Sequence, residues 1–168
     1  TISNNQAENI KLNTNLNDFE SIKEEYELYL VEFNKQKLEE KYWKTLSGYE
    51  FEKAVSDELK KIGFNTTLTK GSNDEGIDII LNEHIAVQCK NHEKSVSPGS
   101  LRDFLGSCIA KGYNYRLFIS TSGFSENSIM FGKQNDILCI DLDDFINLLK
   151  RSSIIVVQNN KLICMENT

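Results

Sequence analysis

The chain has no excess of basic residues: its 19 Lys and Arg stand against 25 Asp and Glu, for a net charge of −6. No general positive field therefore draws it to nucleic acid, and any polyanion contact has to be local, bridged by a metal ion, or supplied by a second subunit or domain. The four cysteines, Cys89, Cys108, Cys139 and Cys164, form no C-x-x-C pair, and only two histidines are present, which argues against a structural zinc site. Widely spaced and mostly in apolar runs, they read as reduced thiols of an intracellular, cytoplasmic protein. The sequence has no signal peptide, no apolar run long enough to cross a membrane and no internal repeat. It opens on Thr-Ile-Ser rather than Met, so it is expected to be a processed product or a piece of something larger.

The length of 168 residues fits one domain with an appended element, and the boundary is expected between residues 46 and 47. Residues 1–16, rich in Asn, read as a polar arm or linker. From residue 17 to 46 no Gly or Pro occurs, and Phe19, Ile22, Tyr26, Tyr29, Leu30 and Phe33 recur at helical spacing. One helix of roughly 30 residues would be about 45 Å long, more than a domain this small can cover. Either it breaks in two, or part of its apolar stripe packs on another chain; a helix wrapped over its own domain is the alternative.

Ser47-Gly48-Tyr49-Glu50 has the form of a capping box, opening a helix with Phe51, Ala54, Val55, Leu59 and Ile62 on one face and Gly63 as its stop. Glu52 lies beside that apolar stripe. A strand is expected over 64–68, and two more over 77–81 and 85–89, joined by a tight turn at Asn82-Glu83-His84. After a polar loop, Ser97-Pro98 opens a helix whose buried face is Leu101, Phe104, Leu105, Cys108 and Ile109. A strand over 115–120, a helix capped by Ser125, a strand over 137–140 and a helix from Asp141 or Asp143 follow. A last hairpin is expected across Gln158 to Lys161. The order predicts an α/β fold, a mixed central sheet flanked by helices, with an N-terminal helical extension.

The chemistry concentrates in the stretch Gly71 to Lys90. Asp78 interrupts an aliphatic run that burial alone would not have filled with a carboxylate. By period-two alternation Gln88 and Lys90 share a face, opposite Val87 and Cys89. A carboxylate, a carboxamide and an amine at one sheet edge can hold a hard divalent cation and poise a water beside it. The plainer reading, an edge aspartate and a strand running out into solvent, stands beside it.

The order helix, three strands, helix, strand, together with these residues, resembles the αβββαβ core of the PD-(D/E)xK nucleases, and within them the Mrr-like restriction endonuclease domain. The resemblance rests on Gly48 to Glu52, on Asn73 to Asp78, on Gln88-Cys89-Lys90 and on Phe118 to Ser125. It departs in two places: no Pro precedes Asp78, and Gln88 stands where the wider superfamily has an acidic residue, as is usual in the Mrr-like branch.

The resemblance implies a Mg²⁺-dependent endonuclease acting on DNA, with Mn²⁺ able to substitute, serving restriction or defence. Asp78, Gln88 and the main-chain carbonyl of Cys89 would hold the metal, with Glu52 binding it directly or through its waters. Lys90 would orient or deprotonate the attacking water or stabilise the developing charge. Ser122, Ser125 and His92 are the expected substrate contacts, with helix capping as the competing reading for the serines and a solvated loop for His92. The N-terminal helix is expected to mediate a homodimer or to dock a partner domain. Cleavage of RNA or branched DNA is the alternative activity, and a non-catalytic nucleic-acid-binding or assembly module the alternative class.

Overall fold

The structure is a computed structural model that describes the backbone of residues 4–17 and both backbone and side chains of 18–69 and 76–167. Part of the expected motif before the second strand, Asn73 to Glu75, lies outside the described residues, as does Gly71. The chain divides into two compact units, Thr1–Lys37 and Leu38–Thr168. Among the described residues no helix is long and apolar enough to cross a membrane.

The first unit is one helix, α1 (Asn4–Gln36). The polar arm expected up to residue 16 is thus helical from Asn4. Nothing in that stretch breaks a helix, and Asn or Gln there costs only about 0.7 kcal/mol or less per residue. Phe19, Ile22 and Tyr26 are exposed. Tyr26, Tyr29 and Phe33 stack in series, with centroids 6.5 and 5.8 Å apart.

Helix does not continue to residue 46. Glu39 takes an extended conformation (φ −110°, ψ 132°), and a separate short helix, α2 (Glu40–Lys44), begins after it. The two compact units part between Lys37 and Leu38, so α2 goes with the second unit. Trp43 is the cause: fully buried, it meets the rings of Phe51 and Phe145 edge-on at 6.0 and 5.1 Å, which ties α2 to the second unit.

That unit is built on a five-stranded mixed sheet of β1 (Thr66–Leu68), β2 (Ile79–Leu81), β3 (Ile85–Lys90), β4 (Tyr115–Ser120) and β5 (Ile137–Ile140), in that spatial order. β1, β2 and β3 pair antiparallel, and β3, β4 and β5 pair parallel. With α3 (Gly48–Lys61) before β1 and α4 (Pro98–Lys111) before β4, the chain follows the expected αβββαβ order. Side chains alternate across the sheet. Val87, Leu117 and Ile119 join Phe51, Val55 and Leu59 of α3 and the buried face of α6 (Leu142–Leu149). Ala86 and Phe118 point the other way, into a core with Leu101, Phe104 and Cys108 of α4, beside which lies α5 (Glu126–Gln134).

Several local expectations hold. Ser47 accepts from the Glu50 amide, and the Glu50 carboxylate accepts from the Ser47 amide at 2.8 Å. The β2–β3 turn places Asn82 and Glu83 in the left-handed region, φ 49° and 64°, and Asn82 Oδ1 accepts from the Asn65 amide. Asp141 caps α6, and a hairpin of β6 (Ser153–Gln158) and β7 (Lys161–Glu166) turns through Asn159 and Asn160, both at positive φ. Two expectations fail. The Ser97 hydroxyl makes no cap bond, and Pro98 alone marks the start of α4. Ile109 is exposed, because it lies a further 100° around α4 from Cys108 and off the buried stripe.

Candidate active site

The β2–β3 ladder changes where Asp78 enters it. Ile79 is already opposite Val87, yet the Asp78 amide also donates to the Val87 carbonyl, at 2.8 Å. Two residues meet one, the count of a β-bulge, which re-aims the side chain it carries. The Asp78 carboxylate turns along the sheet and accepts from the Cys89 amide at 2.7 Å. Thr69 closes the other side: its hydroxyl donates to the Ile77 carbonyl at 2.6 Å, and its amide donates to the Asp78 carbonyl at 3.0 Å. The Cys89 amide thus orients the carboxylate, and Thr69 holds the backbone that carries it.

Glu52 reaches the same edge from α3. Burial raises the Asp78 pKa above its ordinary 3.8, offset in part by the Cys89 amide. Burial, and then the charge of Asp78, raise Glu52 above its ordinary 4.5. Cys89 lies within reach of both: burial first, then Asp78 and Glu52, push its thiol well above the usual value. That thiol stays protonated, so any ligation by Cys89 falls to its carbonyl.

Gln88 and Lys90 occupy the other face, as alternation predicts. Gln88 packs against Gly76, where φ is +81° and a Cβ would meet Gln88 Nε2 at 3.3 Å. A side chain at position 76 would crowd the carboxamide as well as strain the backbone. Gln88 Oε1 is buried with no hydrogen-bond partner. An acceptor left so costs about 1–3 kcal/mol, a cost that a coordinated cation would remove. The Lys90 amine donates to Ser100 Oγ on the first turn of α4 at 2.9 Å.

Asp78, Glu52 and Cys89 are therefore brought together, whereas Gln88 and Lys90 leave β3 on its other face, Gln88 against Gly76 and Lys90 against Ser100 of α4. Among the described residues no group of three His, Cys, Asp or Glu side chains is placed to hold a metal. Two carboxylates, an amide oxygen and a peptide carbonyl still make an all-oxygen donor set, the kind that suits Mg²⁺ or Mn²⁺.

The remaining candidates lie beyond the ends of β3 and β4. An open cleft of about 480 Å³ is lined by Lys44, Leu46, Asn91, His92, Glu93, Thr121 and Ser122. His92 is exposed and its Nδ1 lies 2.9 Å from the Lys94 carbonyl. The Ser122 hydroxyl donates to that same carbonyl at 2.7 Å. Ser125 is not among the cleft residues: it caps α5, accepting from the Ser128 amide, and shares a hydrogen bond with the Ser128 hydroxyl.

Two residues near the site escape sequence reasoning. Ser100 looks like any polar residue in a helix first turn. Asn91 looks like the start of a solvated loop, yet its carboxamide joins three segments of the fold. No local pattern signals either role, because every partner is distant in sequence or on another element.

Residues 43–149, over half of the chain, match the family model Mrr_cat, described as restriction endonuclease. No curated protein and no solved structure matches the chain.

Proposed function

The chain belongs to the Mrr-type restriction endonuclease family and carries its nuclease domain, and from that premise we propose a metal-dependent endonuclease that hydrolyses DNA in restriction or defence against foreign DNA. The observation that supports the reading beyond the family is the buried, unpartnered Gln88 Oε1 on β3, the strand whose Cys89 amide holds the Asp78 carboxylate. Asp78, Glu52, Gln88 Oε1 and the Cys89 carbonyl would hold Mg²⁺ or Mn²⁺. When bound, the ion supplies Lewis-acid neutralisation of charge on the phosphoryl oxygens.

The chain's own groups then divide the remaining work. The Cys89 amide keeps the Asp78 carboxylate oriented. Lys90, steadied by Ser100, orients the attacking water or takes its proton as the water oxygen bonds to phosphorus and the phosphorus–leaving-oxygen bond breaks. His92 and Ser122, in the cleft beside Asn91, are the proposed contacts to the substrate backbone. Four unpaired thiols suit a cytoplasmic setting.

The test is incubation of supercoiled DNA, linear DNA and RNA with and without Mg²⁺, for the parent chain and for Asp78→Ala. DNA cleavage that needs the metal and disappears in a folded Asp78→Ala is expected. Full cleavage in EDTA or in Asp78→Ala overturns the metal reading. Cleavage of RNA alone overturns the substrate, and DNA binding without cleavage means a non-catalytic module.

One active site cuts one strand, so cutting a duplex favours paired sites, and α1 carries exposed Phe19, Ile22 and Tyr26 with which to pair. We propose that α1 mediates self-association. Sedimentation of the full chain and of residues 38–168 tests it: an oligomer that becomes a folded monomer is expected, and a monomeric parent rules it out.

A further inference from the structure

Asn91 immediately follows Lys90 and uses its carboxamide fully. Its Nδ2 donates to the Trp43 carbonyl at 3.0 Å and to the Leu46 carbonyl at 2.6 Å, and its Oδ1 accepts from the Thr121 hydroxyl at 2.7 Å. The Thr121 amide in turn donates to the Lys90 carbonyl at 3.1 Å, and Thr121 is buried. One side chain thus clamps three segments: the end of β3, the end of β4, and the turn between α2 and α3. The clamped turn stands immediately before Ser47, which caps α3 and so fixes where that helix begins.

Beyond apolar packing, the axial position of α3 is held by directional bonds: the Ser56 hydroxyl donates to Thr66 Oγ1 of β1 at 3.0 Å, and the clamped turn holds the start of the helix. Phe51, Val55 and Leu59 set how deep the helix lies on the sheet, but burial is non-directional and tolerates a slide along the axis. Hydrogen bonds at these distances do not. Glu52 sits about one turn beyond the cap, half-exposed at the flank of the buried stripe, where a small slide moves its carboxylate without uncovering the core.

We infer that Asn91 is a positioning residue: by holding the α2–α3 turn against the ends of β3 and β4, it helps set the register of α3 and keeps Glu52 at the Asp78 edge of the sheet. The inference rests on reading Glu52 and Asp78 as metal ligands. Asn91 touches no reacting atom; it acts through Glu52.

Mn²⁺ binding to the DNA-free protein, followed by the electron paramagnetic resonance of the free ion, tests this without relying on cleavage. Asn91→Ala is expected to weaken Mn²⁺ by about 10- to 100-fold, the usual scale for losing an outer support of a ligand. Thr121→Val, which removes one bond and keeps the volume, is expected to weaken it by less and serves if Asn91→Ala fails to fold. Coupling through Glu52 predicts that adding Asn91→Ala to Glu52→Gln brings no further loss. Parent-like Mn²⁺ affinity in folded Asn91→Ala, or losses that simply add, overturn the inference while leaving the metal reading intact. A parent chain that binds no Mn²⁺ overturns the metal reading itself, and this inference with it.

Discussion

The polar side chains around the end of β3 and those that follow β4 differ in how much of their hydrogen-bonding capacity the fold consumes. After β4, Ser125 is spent on capping α5, and Ser128 Oγ donates to the Val96 carbonyl at 2.6 Å. Around β3, Gln88 Oε1 is buried without a partner, and two carboxylates are held where each is harder to ionise than in water. Both groups are polar residues at strand ends, and the sequence puts the chemistry around the end of β3 and only weaker substrate contacts after β4. The fold separates them: one cluster is satisfied, and the other is left in deficit. A deficit costs stability, and Arg116 Nε and Ser153 Oγ are left unpartnered as well. Gln88 Oε1 therefore points to a site through its place on the strand that holds Asp78 and not through the deficit alone.

The sharpest way to break that contrast is to remove the amine. Lys90→Ala is expected to cut cleavage by at least about two orders of magnitude, the scale of a lost acid–base or electrostatic group. Gln88→Glu should stay active, because an oxygen ligand remains and its charge strengthens metal binding. Single-turnover cleavage of one plasmid by both variants measures this. A dead Gln88→Glu beside a mildly affected Lys90→Ala means the two roles are wrongly assigned.

Which of these features the sequence discloses depends on how far apart the partners are. The Ser47–Glu50 capping box, the Asn82–His84 turn and the β6–β7 hairpin are written in a few adjacent residues, and they are legible. The facing of Gln88 and Lys90 follows from alternation within one strand. The bulge that re-aims Asp78 does not, because it depends on how β2 meets Val87. The break before α2 comes from Trp43 packing on Phe145, about a hundred positions later in the chain. Asn91 is silent for the same reason: its partners Trp43 and Leu46 lie far back in the sequence. The order of elements along the chain is readable; the aim of each side chain around the end of β3 is not.

The two carboxylates sharpen the contrast through pH. Both are raised in the folded protein, from 3.8 for Asp78 and 4.5 for Glu52. A raised value means the folded state holds the proton more tightly than the unfolded one. Their contribution to stability is therefore fully present below the ordinary values and is lost as pH rises through the folded ones. Metal-free protein at neutral pH thus carries a penalty that Asp78→Asn should relieve, since the amide oxygen can still accept from the Cys89 amide. Melting of metal-free parent and Asp78→Asn is expected to favour the variant at pH 7, with the gap closing on acidification below pH of about 4. A variant less stable than its parent at neutral pH would mean that the Asp78 charge supports the fold, and the site would not be in deficit at all.

The smallest effect belongs to the satisfied cluster. Ser125→Ala removes the acceptor for the Ser128 amide and should cost about 1 kcal/mol, as lost N-caps usually do. In a chain of this size that lowers the melting temperature by roughly 2–4 °C. The loss is contained, because Ser128 keeps its bond to the Val96 carbonyl and so still ties α5 to the loop after β3. Cleavage measured well below the melting temperature should match the parent, since the hydroxyl is spent inside the fold. Ser125 was also a sequence candidate for contact with the nucleic-acid backbone, and the same variant decides that. A tenfold loss of cleavage with an unchanged melting temperature would mean that the hydroxyl, or the α5 N-terminus it caps, meets the substrate. Hydrogen-bond satisfaction would then fail as a way of telling site from scaffold in this protein.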